Sequence, residues 1–178
     1  LSTLYYYNEF PCVSVVVDGY GDKYCTSIHH VKSHNEIVNV WSSEYPNSLG
    51  LFYSAITDFL GFAVNEGEYK MMGLASFGEP KYYDILSKTI KFENNKLEID
   101  TKYYDYVRRT DRSYSDLLAD ELGVKPRRPD IPFEVGTEDF KIYANVAASA
   151  QKLLEDLLFA IFKYAHELTG EKNFLFSG

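Results

Sequence analysis

Residues 48–78 read SLGLFYSAITDFLGFAVNEGEYKMMGLASFG, an apolar periodic run followed by a charged stretch and two glycines. Leu49, Phe52, Tyr53, Ile56, Phe59 and Leu60 recur at spacings of three and four, which puts them on one face of a helix. Ser48 is placed to cap that helix and Gly61 to stop it. Glu66, Glu68 and Lys70 then bring two carboxylates and an ammonium close together, ahead of Gly73 and Gly78, which tolerate backbone conformations and close approaches that a side chain resists. The charged stretch reads either as a solvated turn or as a loop that holds a phosphorylated ligand.

Outward from this segment the pattern is that of an α/β chain. Residues 12–17 (CVSVVV) form a β-branched run broken by Asp18, Gly19 and Gly21, a second strand follows through Ile28, and a third from Ile37 to Trp41 completes a meander. Pro80 opens a helix through about Ile90, and Asn94 and Asn95 form the turn of a hairpin between IKFE and KLEID. TDRSYSDLLADELG is a short capped helix stopped at Gly123, and KPRRPDIPFEVG is a proline-rich loop, tied down or mobile, whose missing hydrophobic period makes it the first candidate for a flexible connection. The last helix carries a continuous apolar stripe through Val146, Ala150, Leu153, Leu154, Leu157, Leu158, Ile161 and Ala165, which should bury against a sheet, and a strand at 173–177 ends at Gly178.

The chain has 178 residues, 46% hydrophobic and 25% charged, enough for one well-buried domain. A net charge of −8 argues against a nucleic-acid or anionic-membrane surface, because both need clustered lysine and arginine. Lys125, Arg127 and Arg128 form only a short basic cluster. No run approaches the roughly 20 apolar residues that span a bilayer, and no signal peptide is visible, so a cytoplasmic protein is expected. Cys12 and Cys25 are too few for a disulfide framework or a zinc site. His30 and His34 have an HxxxH spacing that would share a helical face, but they fall at a strand end and turn, where that spacing loses its meaning. The tyrosines at 5–7, 82–83 and 103–106 suit packing and are assigned no function, and His166 reads as solvent-facing or packed. Both termini read as internal to a longer polypeptide.

SLGLFYSAITDFLGF followed by GEYKMMGLASFGEP resembles the signature of the NodU/CmcH/TobZ-type O-carbamoyltransferases. VVVDGYGDKYCTS at 15–27 resembles that family's strand, DGxGE/D turn and strand, and ANVAASAQKLLEDLLFAIFKYAHELTGEKNFLFSG resembles its long helix leading to a strand and glycine loop. The resemblance implies one lobe of the actin, sugar kinase and Hsp70 superfamily (ribonuclease H-like, with a mixed sheet and flanking helices), a TsaD-like transfer domain. Residues 1–178 would be a single partial domain with a small α+β insertion at about 79–135, and the rest of the N-terminal lobe and a C-terminal YrdC-like domain would lie outside it. It further implies ATP and carbamoyl phosphate as substrates, a carbamoyl-adenylate intermediate, a hydroxyl acceptor on a sugar or natural product, and an Fe(II)-type cation.

Residue by residue, the resemblance implies that Asp18, Gly19 and Gly21 form a nucleotide or substrate phosphate turn, where DG alone is equally a good hairpin turn. It implies that Lys70 approaches phosphate oxygens and that Glu66 or Glu68 hydrogen-bonds a ribose or orients the acceptor hydroxyl, with Gly73 beside them. Without it, Glu68 and Lys70 make a local salt bridge. Ser177 and Gly178 resemble the start of the adenosine-binding glycine loop, here FSG where AGG or GGG is commoner. The family's metal-binding histidines precede the segment matching Leu1–Tyr7 and a later aspartate follows the glycine loop, so no metal ligand is expected here. The segment alone should be inactive. A sugar kinase or ATPase of the same superfamily, or a non-catalytic interaction domain, are the other readings.

Overall fold

The computed structural model describes residue 4 and residues 6–178; Tyr5, from the first tyrosine cluster, lies outside the described residues. Strands β1 (Cys12–Val17), β2 (Tyr24–Ser33), β3 (Glu36–Glu44) and β6 (Phe174–Ser177) form a four-stranded mixed sheet of order β3-β2-β1-β6. The meander is antiparallel and β6 adds in parallel beside β1, with Val13 opposite Phe174 and Val16 opposite Ser177. Helices α1 (Leu49–Phe59), α2 (Glu68–Ala75), α3 (Tyr83–Leu86), α4 (Asp116–Leu122) and α5 (Glu138–Thr169) and the hairpin β4 (Ile90–Glu93) and β5 (Lys96–Ile99) complete the chain. The architecture is α/β with a mixed sheet, as the alternation of patterns implied.

Where the sequence reads as one domain, the chain divides into two compact units. The first holds the sheet, residues 92–97 and the last part of α5; the second holds residues 51–91 and 98–156. In the first unit, Phe162 of α5 lies against Phe174 and Phe176 of β6 at 5.4 and 5.7 Å between ring centroids, and Trp41 of β3 meets Phe92 and Tyr164. These aromatic residues of α5 lie outside the expected apolar stripe, of which Val146, Ala150, Leu153, Leu157, Ile161 and Ala165 are buried. The Asn94–Asn95 turn has φ of 50° and 62°, the left-handed pair that a two-residue hairpin requires.

Several boundaries differ from expectation. β2 extends five residues beyond Ile28, so His29 and His30 lie inside a strand: His30 Nε2 pairs with Glu171 at 3.2 Å and His34 with Asn8 at 3.1 Å. Cys12 and Cys25 are both free and buried at opposite ends of the β1–β2 ladder. The helix expected from Pro80 to Ile90 is a single turn, Tyr83–Leu86: the Glu79 and Tyr82 amides ahead of it bond Asn145 Oδ1 and Ser149 Oγ of α5 at 2.8 and 2.9 Å, and after it Lys88 N and Thr89 N make tighter bonds to the Ile85 and Leu86 carbonyls before β4 begins. α4 keeps its expected limits, with Ser115 Oγ accepting from Leu118 N and Gly123 left-handed at φ 63°. Among the tyrosines, Tyr104 is fully buried and shares a hydrogen bond with Thr89, Tyr83 donates to Asp156 at 2.9 Å, and His166 Nδ1 meets the Glu171 carbonyl, all packing roles.

Of the two states open to the proline-rich loop, the structure has it tied down. It is irregular but fastened by Arg127, whose guanidinium bonds four carbonyl oxygens and lies 4.2 Å from the Phe133 ring centroid and 5.3 Å from that of Phe62. A charged residue among prolines gave no hint of this, since the carbonyls it binds belong to residues 60 and 61 as well as to its own loop.

Candidate functional site

Each unit carries one group of the expected site residues. In the first, the Asp18–Gly19 turn ends β1. The Asp18 amide bonds the Cys25 carbonyl at 2.7 Å, and the Asp18 carboxylate accepts from Gly19 N at 2.7 Å. Ser48, fully buried before α1, donates to the carbonyls of both Asp18 and Gly19 at 3.0 and 2.8 Å. Backbone approaches here leave no room for side chains. A Cβ on Gly50 would stand 2.6 Å from Gly19 Cα, one on Gly21 2.3 Å from the Tyr24 carbonyl oxygen, and one on Gly178 1.6 Å from the Val17 carbonyl oxygen. The parallel pairing of β6 with β1 thus brings Gly178 beside the residue that precedes Asp18. Asp18, Gly19, Gly21, Ser177 and Gly178 converge on the same ends of two neighbouring strands, a place where α/β sheets bind ligands. Ser48, Gly50 and Cys25 join them, and none of these three was singled out for this place from the sequence.

In the second unit, Glu66, Glu68 and Lys70 do not share a loop. Glu66 stands exposed in the turn before α2, Glu68 opens α2, and Lys70 and Gly73 lie within it. The helix continues because Met71, Leu74 and Ala75 are buried on one side, an apolar spacing of three and four that the glycines masked in the sequence. Glu68 is engaged at both oxygens: Oε1 accepts from Ser54 Oγ and Asn65 N, both at 2.9 Å, and Oε2 from Gly67 N at 3.2 Å. Burial pushes the Glu68 carboxyl up, but the Asn65 amide, the Ser54 hydroxyl and the Gly67 amide outweigh it and hold its pKa below the usual carboxylate range. Glu68 therefore fastens the α1–α2 connection. That leaves Glu66 as the untethered member of the pair.

A pH dependence follows. A carboxyl with a lowered native pKa adds stability above the unfolded value of about 4.3, and the contribution is lost as pH falls through the native value. Glu68→Gln is thus expected to lower the thermal midpoint at pH 7, with the difference from the parent shrinking towards zero as pH falls below about 4. Thermal melts between pH 3 and 7 check this; a difference independent of pH contradicts it.

Lys70 is exposed, with Nζ 5.7 Å from the Tyr69 ring centroid. Gly73, three residues on and so on the same side of the helix, is exposed, and a Cβ there would meet nothing within 4 Å. Tyr69, Met72 and Phe77 around it are 65%, 57% and 66% exposed, an open face with apolar character. Beside it a shallow cleft of about 340 Å³ is lined by Met72, Ser76, Pro80, Gln151, Lys152 and Glu155. Tyr53, its pKa pushed up to about 12 by burial and by Glu68 and Glu155, donates to Gln151 at 2.8 Å, and Gln151 in turn donates to Glu155 at 2.9 Å. This relay fixes the Glu155 carboxylate at the rim. The Gly78 backbone meets α5 so closely that a Cβ would stand 2.0 Å from the Ala144 carbonyl oxygen, which is the close approach expected of that glycine.

Among the described residues, no three His, Cys, Asp or Glu side chains converge as metal ligands. No helix among them is long and apolar enough to cross a membrane.

The fold is that of an α/β protein with a mixed sheet. The family follows from comparison: residues 4–178 match the model of the carbamoyltransferase N-terminus, and the chain belongs to that family. It is 33% identical over 167 residues to an uncharacterised protein, sll1178, of Synechocystis, covering 91% of this chain and 25% of that protein. It is also 30% identical over 166 residues to nodulation protein NolNO of Sinorhizobium fredii, covering 92% of this chain and 22% of NolNO. To nodulation protein NolO of Bradyrhizobium diazoefficiens it is 29% identical over 165 residues, covering 91% of this chain and 26% of NolO. The chain spans about a quarter of the length of these curated relatives.

Proposed function

We propose that this chain is part of the transfer domain of an O-carbamoyltransferase, and that its sheet belongs to a lobe of the actin, sugar kinase and Hsp70 type. ATP and carbamoyl phosphate give a carbamoyl-adenylate in a separate YrdC-like domain of the longer polypeptide. In the transfer step the acceptor hydroxyl oxygen attacks the carbamoyl carbon, the bond from that carbon to the adenylate phosphate oxygen breaks, and AMP leaves. The hydroxyl proton passes to a carboxylate, for which Glu66 is free and Glu68 is not. Lys70 offsets phosphate charge in its own unit; in the other unit the Asp18–Gly21 turn with Ser177 and Gly178 offers backbone groups suited to a phosphate. Residues 1–178 alone transfer no carbamoyl group, because the adenylate-forming domain is not among them.

The observation that carries this reading is Gly73. Glycine in an exposed helix interior costs about 1 kcal/mol relative to alanine, and nothing among the described residues repays it, since the added Cβ would meet none of them within 4 Å. The missing side chain makes sense if a ligand lies over that face, next to Lys70. Gly73→Ala is accordingly expected to raise the thermal midpoint by roughly 2–4 °C for a chain of this size while weakening ATP binding about tenfold. Calorimetric melts and ATP titrations of the two proteins test it. A stabilised variant with unchanged affinity refutes a ligand at this face.

A further inference from the structure

Residue 127 satisfies the end of a helix from 66 residues away. Its backbone N–H bonds the Phe59 carbonyl at 2.9 Å, its Nε the Leu60 carbonyl at 2.6 Å, and its Nη2 the Gly61 carbonyl at 3.1 Å. These are consecutive carbonyls at the C-terminus of α1, which no later helical turn can satisfy and where the helix dipole favours a cation. Nη1 closes the loop on itself through the Arg128 and Ile131 carbonyls. The planar group lies 4.2 Å from the Phe133 ring centroid and 5.3 Å from that of Phe62, the first residue after Gly61, and the two rings are themselves 5.6 Å apart. No carboxylate among the described residues pairs with it. A guanidinium held by four carbonyls and two rings is a connector, and lysine could not reproduce its fork.

What it connects to matters for the site. The α1–α2 connection runs from Gly61 to Gly67, and Glu68 fastens its far end through Asn65, Gly67 and Ser54. Arg127 fastens its near end. Gly61 is left-handed at φ 69°, and a Cβ there would stand 2.7 Å from the Arg127 carbonyl oxygen, so the near end has one conformation and one neighbour.

We propose that Arg127 is a positioning residue: by pinning the start of the α1–α2 connection it sets the direction from which α2 presents Lys70 and Gly73. This rests on the reading of that face as the nucleotide site.

The test compares the parent chain with Arg127→Lys, which keeps a charge but loses the fork, and with Phe133→Leu, which removes one stacking ring and leaves every hydrogen bond of Arg127 in place. Hydrogen exchange and ATP titration are measured at a temperature where all three are fully folded. In both variants the amides of residues 61–67 are expected to lose about tenfold in protection while those of the four-stranded sheet keep theirs, and ATP affinity falls several-fold. Unchanged exchange in residues 61–67 overturns the proposal, and so does faster exchange with unchanged affinity, which would make Arg127 a stabilising contact only. If the parent chain binds no ATP, the nucleotide reading fails on its own, and the exchange pattern alone decides whether Arg127 pins the connection.

Discussion

Lys70→Ala, made in a polypeptide of the relatives' full length, is expected to leave pyrophosphate release from ATP and carbamoyl phosphate unchanged while slowing carbamoyl transfer to the acceptor by about 10²-fold, the usual scale for one lost group that stabilises developing charge. The split follows from where the two steps occur. On the proposed reading adenylate formation belongs to another domain, whereas Lys70 stands exposed on α2 with its Nζ 5.7 Å from the Tyr69 ring centroid, placed to meet the phosphate of the departing AMP. Lys70→Arg keeps the charge and should retain most of the transfer rate. Parallel assays of pyrophosphate and carbamoylated acceptor separate the steps; equal loss of both would place Lys70 in adenylate formation or in the fold.

The second large effect is on stability. Gly78→Ala puts a methyl group 2.0 Å from the Ala144 carbonyl oxygen and 2.3 Å from its carbon, both backbone atoms of a 32-residue helix. Neither can move aside alone, so residues 78–82 must lift from α5 and give up the bonds from the Glu79 amide to Asn145 and from the Tyr82 amide to Ser149. Overpacking of this kind costs roughly 1–3 kcal/mol, and each bond left unmade about 1 kcal/mol more. A fall in thermal midpoint of roughly 8–15 °C is expected for a chain of this size. Gly73→Ala, five residues earlier, should shift it the opposite way, so the pair measured together separates a crowded glycine from an open one.

The contrast between those glycines marks what the sequence discloses and what it does not. Gly73 and Gly78 look alike in the one-letter string, because whether a Cβ has room is set by residues 144 and 145, far along the chain. The strands, the Asn94–Asn95 hairpin, α4 with its Ser115 and Gly123 ends and the apolar stripe of α5 were legible, since each rests on local periodicity or turn chemistry. The short turn after Pro80 was not, because it is fastened through Asn145 and Ser149, far along the chain. Lys70 was legible as a candidate by type, but Glu66 and Glu68 could be told apart only once Ser54 and Asn65 were seen to hold Glu68. Arg127 was read as loop because its partners are main-chain carbonyls, which carry no sequence signal.

The most direct test of the account is pyrophosphate release from ATP by the full-length polypeptide, measured with and without carbamoyl phosphate. Release only when carbamoyl phosphate is present is the predicted result. Phosphate release that proceeds equally without it would contradict the carbamoyltransferase reading and make the protein an ATPase or kinase of the same superfamily.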